Sequence, residues 1–153
     1  MDNNVISFDT GIEEFNLNGK VTVVFSPTDL HFVEKVLDTF NEISEMYEKY
    51  LKEVEGLEDD DPETEAGLHV LEIAHKANDE IRAKINEVFG KDVCTPTIGD
   101  RSILMPAKGL PVWENLLLSI IDKFDSQLVE EKAKTNQRLE EYTKKYRRNR
   151  KKR

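Results

Sequence analysis

The chain has 153 residues, a length that fits one domain. Charged residues make up 35% of it and hydrophobic residues 38%, so the core is expected to be modest and much of the helical surface solvated. The formal charge is −9, but residues 138–153 carry nine Lys or Arg and only two acids. The sequence therefore predicts an acidic body with a basic C-terminal end.

Cysteine usage and hydropathy disfavour secreted and membrane classes. The single cysteine, Cys94, excludes an intrachain disulfide and fits a reducing compartment. No apolar run reaches the roughly 18 residues that a transmembrane helix needs. The N-terminal residues lack the basic and apolar regions of a signal peptide. These features predict a cytoplasmic protein with no membrane partner.

The first 25 residues are typical of strands. Val5–Phe8, Ile12–Leu17 and Lys20–Phe25 are apolar or β-branched runs, and together they predict a small antiparallel sheet. Asn18 and Gly19 separate the last two runs, and this dipeptide tolerates the positive φ angles of a type I′ hairpin turn. Because an isolated hairpin is marginally stable, the sheet is expected to pack on a helix.

Two long amphipathic helices follow. Ser26, Pro27 and Asp29 suit the start of the first helix, which is predicted to end at Gly56. The second is predicted to run from near Asp61-Pro62 to Phe89, with Gly90 after it. Matched apolar spacings predict that the two helices form an antiparallel hairpin. The predicted seams comprise Val33, Val36, Leu37, Phe40, Ile43, Tyr47, Tyr50, Leu51 and Val54 in one helix and Leu71, Ala74, Asn78, Ile81, Ile85 and Val88 in the other.

Two polar features accompany this hairpin. Asn78 lies on the second seam, where it is expected to hydrogen-bond across the helix pair and fix its register. Residues 53–65 hold eight acids and no base. This stretch is interpreted as a solvated loop, since it lacks the ligand spacing and the glycine of a calcium-binding loop.

Residues 91–111 contain three prolines and two glycines, which predicts a structured loop without a helix. A third helix is predicted from Pro111. Its apolar face is dense as far as Leu128 and thins sharply after Val129. The first half of this helix is therefore expected in the core, and the second half as a projecting helix.

Taken together, the elements predict an α+β fold that is mainly α. A small N-terminal antiparallel sheet packs on a bundle of about three helices, the last of which is long. Residues 1–130 are predicted to form a single compact domain, and residues 131–153 a projecting helix with a basic tail. Nothing in the pattern asks for a cofactor.

Candidate catalytic and metal-binding groups are weak. His69, Glu72 and His75 are spaced H-x-x-E-x-x-H, which places the two histidines about 120° apart around a helix. The zinc-protease motif instead separates its histidines by four residues. Cys94 has no thiol-enzyme signature around it, and nucleotide-binding glycine patterns are missing. The sequence therefore predicts that the protein is not an enzyme and holds no metal.

The basic end has a stronger functional reading. Eight of the ten residues 144–153 are Lys or Arg. Tyr146 lies among them, and Tyr142 lies just before them. Such a cluster can bind phosphates by releasing counterions, so a nucleic-acid-binding module stays open as an alternative. The acidic body would repel a polyanion. An acidic partner protein, or the acidic loop of a neighbouring copy in a homo-oligomer, also stays open.

Three short segments resemble the tail assembly chaperones of tailed bacteriophages and prophages, of the type found in Gram-positive hosts. They are Asn18-Gly19-Lys20-Val21-Thr22-Val23-Val24-Phe25-Ser26-Pro27-Thr28-Asp29, Ile85-Asn86-Glu87-Val88-Phe89-Gly90, and Tyr142-Thr143-Lys144-Lys145-Tyr146-Arg147-Arg148. They occur in the family's order over most of the chain. Ser26 departs from the pattern, which has Asn there, and keeps the capping ability.

The resemblance implies a non-catalytic assembly role. Proteins of that family bind the long helical tape measure protein while tail tube proteins polymerise around it, so both are implied as partners. A structural component of the tail is a further alternative. The residues predicted to bind partners lie in the 103–105 loop and at the end of the last helix: Ile103, Leu104, Met105, Leu139, Tyr142, Tyr146, Arg147 and Arg148.

Overall fold

The computed structural model describes residues 4–57 and 63–151, with backbone only at Tyr142 and from 146 onward. It is mainly helical with an N-terminal two-stranded antiparallel sheet and a long C-terminal helix, so the predicted α+β class is confirmed. The elements are β1 (Glu13–Leu17), β2 (Val21–Phe25), α1 (Leu30–Glu55), α2 (Glu65–Phe89), α3 (Cys94–Ile98), β3 (Pro106–Ala107), β4 (Leu110–Pro111) and α4 (Val112–Lys151).

The hairpin of β1 and β2 forms where it was predicted. Asn18 and Gly19 have φ angles of 54° and 70°, as a type I′ turn requires, and Lys20 N donates to the Leu17 carbonyl at 2.9 Å. The inward face of the sheet stacks Phe25 between Phe15 and Phe32 of α1, at ring separations of 4.5 and 4.7 Å. This contact supplies the helix packing that a two-stranded sheet needs.

The third predicted strand, at Val5–Phe8, is wrong. These residues form no strand, and the sheet has two strands, β1 and β2. Gly11 has φ +77°, and the Asp9 carboxylate accepts a hydrogen bond from Gly11 N at 2.9 Å. This local turn separates the apolar run from β1, and the run stays exposed and unpaired with the sheet.

Helix α1 begins one turn later than the Ser26-Pro27 signal predicted. Asp29 N donates to the Ser26 carbonyl at 3.2 Å, so Pro27 occupies a β-turn and not the first helical position. Asp29 then caps the helix by accepting from His31 N at 3.0 Å. The predicted end at Gly56 is correct.

Helix α2 packs antiparallel to α1, as predicted. Its N-cap is Thr64, whose hydroxyl accepts from Gly67 N at 3.0 Å, and the predicted start at Asp61-Pro62 lies outside the described residues. The predicted end is correct, with Gly90 in the left-handed conformation at φ 69°. Side chains at the middle of both seams are fully buried, namely Val36, Ile43, Ile81 and Ile85.

The prediction that Asn78 bonds across the helix pair is wrong. Its Oδ1 accepts from Ile103 N at 2.8 Å, so it ties the following loop to α2. Arg82, one turn further along, donates to the carbonyls of Gly99 and Arg101 at 2.9 and 3.1 Å. These contacts hold residues 99–103 against α2.

The prediction that residues 91–111 contain no helix is also wrong. The segment forms the short helix α3 and a small hairpin of β3 and β4. Asp92 accepts from Thr95 N at 3.0 Å, and Asn86 accepts from the N–H groups of Val93 and Cys94 at 2.9 and 3.2 Å. These side chains satisfy the donors at the start of α3, where Pro96 is tolerated because it lies in the first turn.

Helix α4 runs antiparallel to α1. Trp113, at its start, contacts Phe40 and Tyr47 with ring separations of 5.8 and 5.6 Å, and Phe124 contacts Phe32 at 5.8 Å. Residues 125–151 therefore continue beyond the N-terminal end of α1, by about 40 Å at the rise of a straight helix. In the described ranges no helix is both long enough and apolar enough to cross a membrane.

The other end of the α1–α2 pair is less well covered than its seams predicted. Leu51 of α1 and Leu71 of α2 are 45% and 44% exposed. Both lie in the part of the hairpin that extends past Tyr47, beyond the first turn of α4. Leu37, near the middle of the α1 seam, is 41% exposed as well, so seam position alone did not decide burial.

Candidate protein-binding surfaces

The C-terminal part of α4 is a helix without a covering layer. From Leu128 to Lys145, every side chain that the structure describes is exposed, whereas Leu117 and Phe124 are 0% and 2% exposed. We call residues 128–151 the free arm. The sequence predicted a domain boundary between residues 130 and 131, where the apolar pattern is lost. That boundary stays a prediction.

Local pairs support the helical conformation of the free arm. Glu130 and Lys134, Glu140 and Lys144, and Glu141 and Lys145 are spaced i,i+4 with the acid first, the order that helices favour. Lys134 Nζ lies 3.9 Å from a carboxylate oxygen of Glu131. Both side chains of that pair are more than half exposed, so its contribution is small.

One face of the free arm carries two leucines and two tyrosines, Leu128, Leu139, Tyr142 and Tyr146, together with Lys132 and Thr135. Positions 128, 132, 135, 139, 142 and 146 follow a spacing of 4-3-4-3-4. At 100° per residue they continue the face on which Leu117, Ile121 and Phe124 pack into the core. We call these six positions the arm seam. Leu128 and Leu139 on it are 42% and 59% exposed.

Three of the predicted partner-binding residues of the C-terminal end, Leu139, Tyr142 and Tyr146, occupy arm seam positions of α4. Leu139 is exposed and lies on the arm seam. Tyr142, Tyr146, Arg147 and Arg148 lie within α4, and their side chains fall outside the described part of the chain. Their role in binding stays a prediction.

The loop residues Ile103, Leu104 and Met105 require a correction. Ile103 and Leu104 are 0% and 8% exposed, and Met105 is half-buried. Besides the Asn78 bond, the Ile103 carbonyl accepts from Trp113 N at 3.1 Å, and Met105 O accepts from Val112 N at 3.0 Å. The loop is therefore fastened to α2 and to the start of α4, and in this fold it is core and not a contact surface.

The N-terminal residues form an apolar surface that the site predictions missed. Val5, Ile6 and Phe8 are 68%, 87% and 80% exposed, and Ile12 is 61% exposed. The sequence signal was present, because the same run predicted a strand. The sequence did not indicate that this run would have no strand beside it.

Charged grooves follow the line between α1 and α2. One is lined by His31, Lys35, Glu42, Lys84 and Glu87, and it is open to solvent. Lys84 Nζ lies 2.7 Å from Glu42 across it, and this hydrogen bond raises the pKa of Lys84. The groove thus holds one close ion pair, and its four carboxylates outnumber its two lysines, so it is an acidic helical surface.

The candidate chemical groups are placed as separate features. His69 Nδ1 lies 3.7 Å from Glu72 on an exposed face. Among the described residues, no three His, Cys, Asp or Glu side chains converge as metal ligands do. Cys94, the first residue of α3, is fully buried, and burial raises the pKa of its thiol to about 11. At neutral pH this thiol is protonated, which makes it a poor nucleophile.

The surfaces with the strongest physical case for binding are therefore the free arm and the N-terminal apolar residues. Both expose large apolar side chains on extended elements without a covering layer. Comparison with protein-family models, with curated proteins and with solved structures finds no match to this chain.

Proposed function

We propose that this protein is an assembly chaperone, of the kind that binds the tape measure protein of a tailed phage while the tail tube proteins assemble. The observation that carries the proposal is the free arm, a helix on which Leu128 and Leu139 stay exposed along the line of the core-facing stripe. A helix of this length without tertiary contacts is marginal in water, so a partner that covers the arm seam would stabilise it.

The chemistry of the arm fits a long helical client. Recognition of an amphipathic helix uses apolar anchors spaced by three and four residues, and Leu139, Tyr142 and Tyr146 have that spacing. Lys and Arg residues around these anchors would steer an acidic client towards them. The exposed N-terminal residues Val5, Ile6 and Phe8 offer a second apolar contact. The short segments described above add the family-specific part of the proposal.

Co-expression with a tape measure protein from the same genome tests this function. The full chain should keep the client soluble and co-elute with it in size-exclusion chromatography. Leu139→Glu places a charge on the arm seam, and it should weaken the complex about tenfold or more. Gln137→Glu is the matched control, since it adds the same charge on the opposite face of the same helix.

Three results separate the outcomes of this experiment. Co-elution that L139E abolishes and Q137E preserves supports a client bound on the arm seam. Equal effects of the two variants point to net charge instead of apolar contact. A client that is equally soluble without the chain, and does not co-elute with it, contradicts the chaperone function.

A nucleic-acid-binding module is the second candidate, and the run of basic residues 144–153 is the observation that favours it. Binding to a random duplex should then weaken steeply with salt, by a slope that reflects the phosphates contacted. Replacing Lys144 and Lys145 by Gln should reduce that slope by about two. A flat salt dependence excludes this candidate.

A further inference from the structure

The arm seam has a symmetry that bears on what covers it in the absence of a client. Its six positions are symmetric about residue 137, because the spacing 4-3-4-3-4 reads the same in both directions. Two copies of the arm can therefore lie antiparallel with seam positions facing one another along the whole stretch from 128 to 146. This stretch is about 28 Å long at the rise of an α-helix.

We propose that the free arms of two copies of this chain pair as an antiparallel coiled coil centred near Gln137. In that register Leu128 lies opposite Tyr146 of the second copy, and Thr135 lies opposite Leu139. Lys132 lies opposite Tyr142. Each exposed leucine of the arm seam thereby gains a partner across the interface.

Charge selects the antiparallel direction. Residues 122–131, at the root of the arm, contain four acids and one base, whereas residues 142–151 contain six bases and no acid. Antiparallel pairing sets each basic block beside the acidic block of the other copy. It also brings Glu131 near Lys145 of the second copy, both of which are exposed on the same flank of the seam. Parallel pairing would set the two basic blocks side by side, which is unfavourable.

A second copy of the chain would cover more of the apolar and charged surface of the free arm than a nucleic acid would. Nucleic acid would neutralise residues 142–151, but it would leave Leu128 and Leu139 in water and face the acidic root of the arm. The pairing does not rest on the proposed function, because it concerns the chain alone. Its failure would leave the client experiment unaffected, and failure of the client experiment would leave the dimer intact.

Sedimentation equilibrium of the full chain over a concentration series tests the pairing. We expect a monomer–dimer equilibrium. K145E should raise the dimer Kd about fivefold, because attraction to Glu131 of the second copy becomes repulsion. Adding E131K to that variant should restore the affinity. K20E is the matched control, since it makes the same charge change at an exposed turn of the body.

Distance measurement fixes the direction. A spin label on Cys introduced at Ser126 lies 11 residues from the proposed centre, so antiparallel pairing predicts a separation of about 33 Å between the two helix positions. Parallel pairing predicts about 10 Å, the usual interaxial distance. The unsubstituted chain controls for labelling of the buried Cys94. A chain that stays monomeric, a separation near 10 Å, or charge exchange without rescue would overturn the proposal.

Discussion

The first half of helix α4 is stabilised by packing against the body, whereas the second half depends on its local sequence alone. From Val112 to Phe124 the helix buries Trp113, Leu117, Ile120 and Phe124 against α1, the sheet and the 103–105 loop. From Leu128 to Lys145 every described side chain of the same helix is exposed. The backbone is one continuous helix, but its stability has two different sources.

The difference teaches where conformational stability should reside. Tertiary contacts supply most of the free energy that holds helices in globular proteins, whereas propensity and i,i+4 pairs supply tenths of a kcal/mol each. The first half of α4 should therefore unfold together with the body. The free arm should open independently at a much lower free energy.

The largest expected effect comes from truncating one residue in each half. Phe124→Ala removes a ring that contacts Phe25 and Phe32, and it should lower the free energy of unfolding by about 3 to 5 kcal/mol. Leu139→Ala, in the free arm, should change it by less than about 0.5 kcal/mol. Urea unfolding at a concentration where the chain is monomeric measures both values. Similar losses in the two variants would refute the division of α4.

A part-buried polar connection in the body should show a smaller contrast with the arm. Asn86→Ala leaves the N–H groups of Val93 and Cys94 without their acceptor, and it should cost about 2 kcal/mol. Asn136→Ala is the matched control in the free arm, where the side chain is exposed, and it should be nearly neutral. The same unfolding titration compares them. An Asn86 variant as stable as the control would mean that water replaces these bonds at no cost.

The smallest effect concerns helix propensity. Ala133→Gly should lower the helical circular dichroism of the free arm while leaving the unfolding midpoint of the body unchanged, because the arm opens separately. Ser119→Gly lies on the exposed side of the packed half, and it should lower the free energy of unfolding by about 0.5 kcal/mol. Thermal melts of monomeric protein at two wavelengths resolve the two responses. A shift of the body's midpoint in the Ala133 variant would show that the halves are coupled.

Local sequence determined much of this protein. The Asn18-Gly19 turn, the ends of α1 and α2 at glycine, and the fading of the apolar face of α4 depend on backbone preferences and side-chain periodicity within a few residues. Those preferences act through neighbours in the chain, so they are legible without knowledge of the fold. The exposure of Leu139 followed from the same periodicity.

Tertiary structure decided the features that depend on which surfaces meet. The 103–105 loop is part of the core because the Asn78 side chain and the Trp113 N–H bond to its backbone. Its apolar residues alone did not show whether the loop would be buried or exposed. Val5–Phe8 remained exposed because a strand needs a partner as well as the right residues. The sequence thus determined which segments could form helices and strands, and only the packed structure decided which of their apolar faces have partners within the chain.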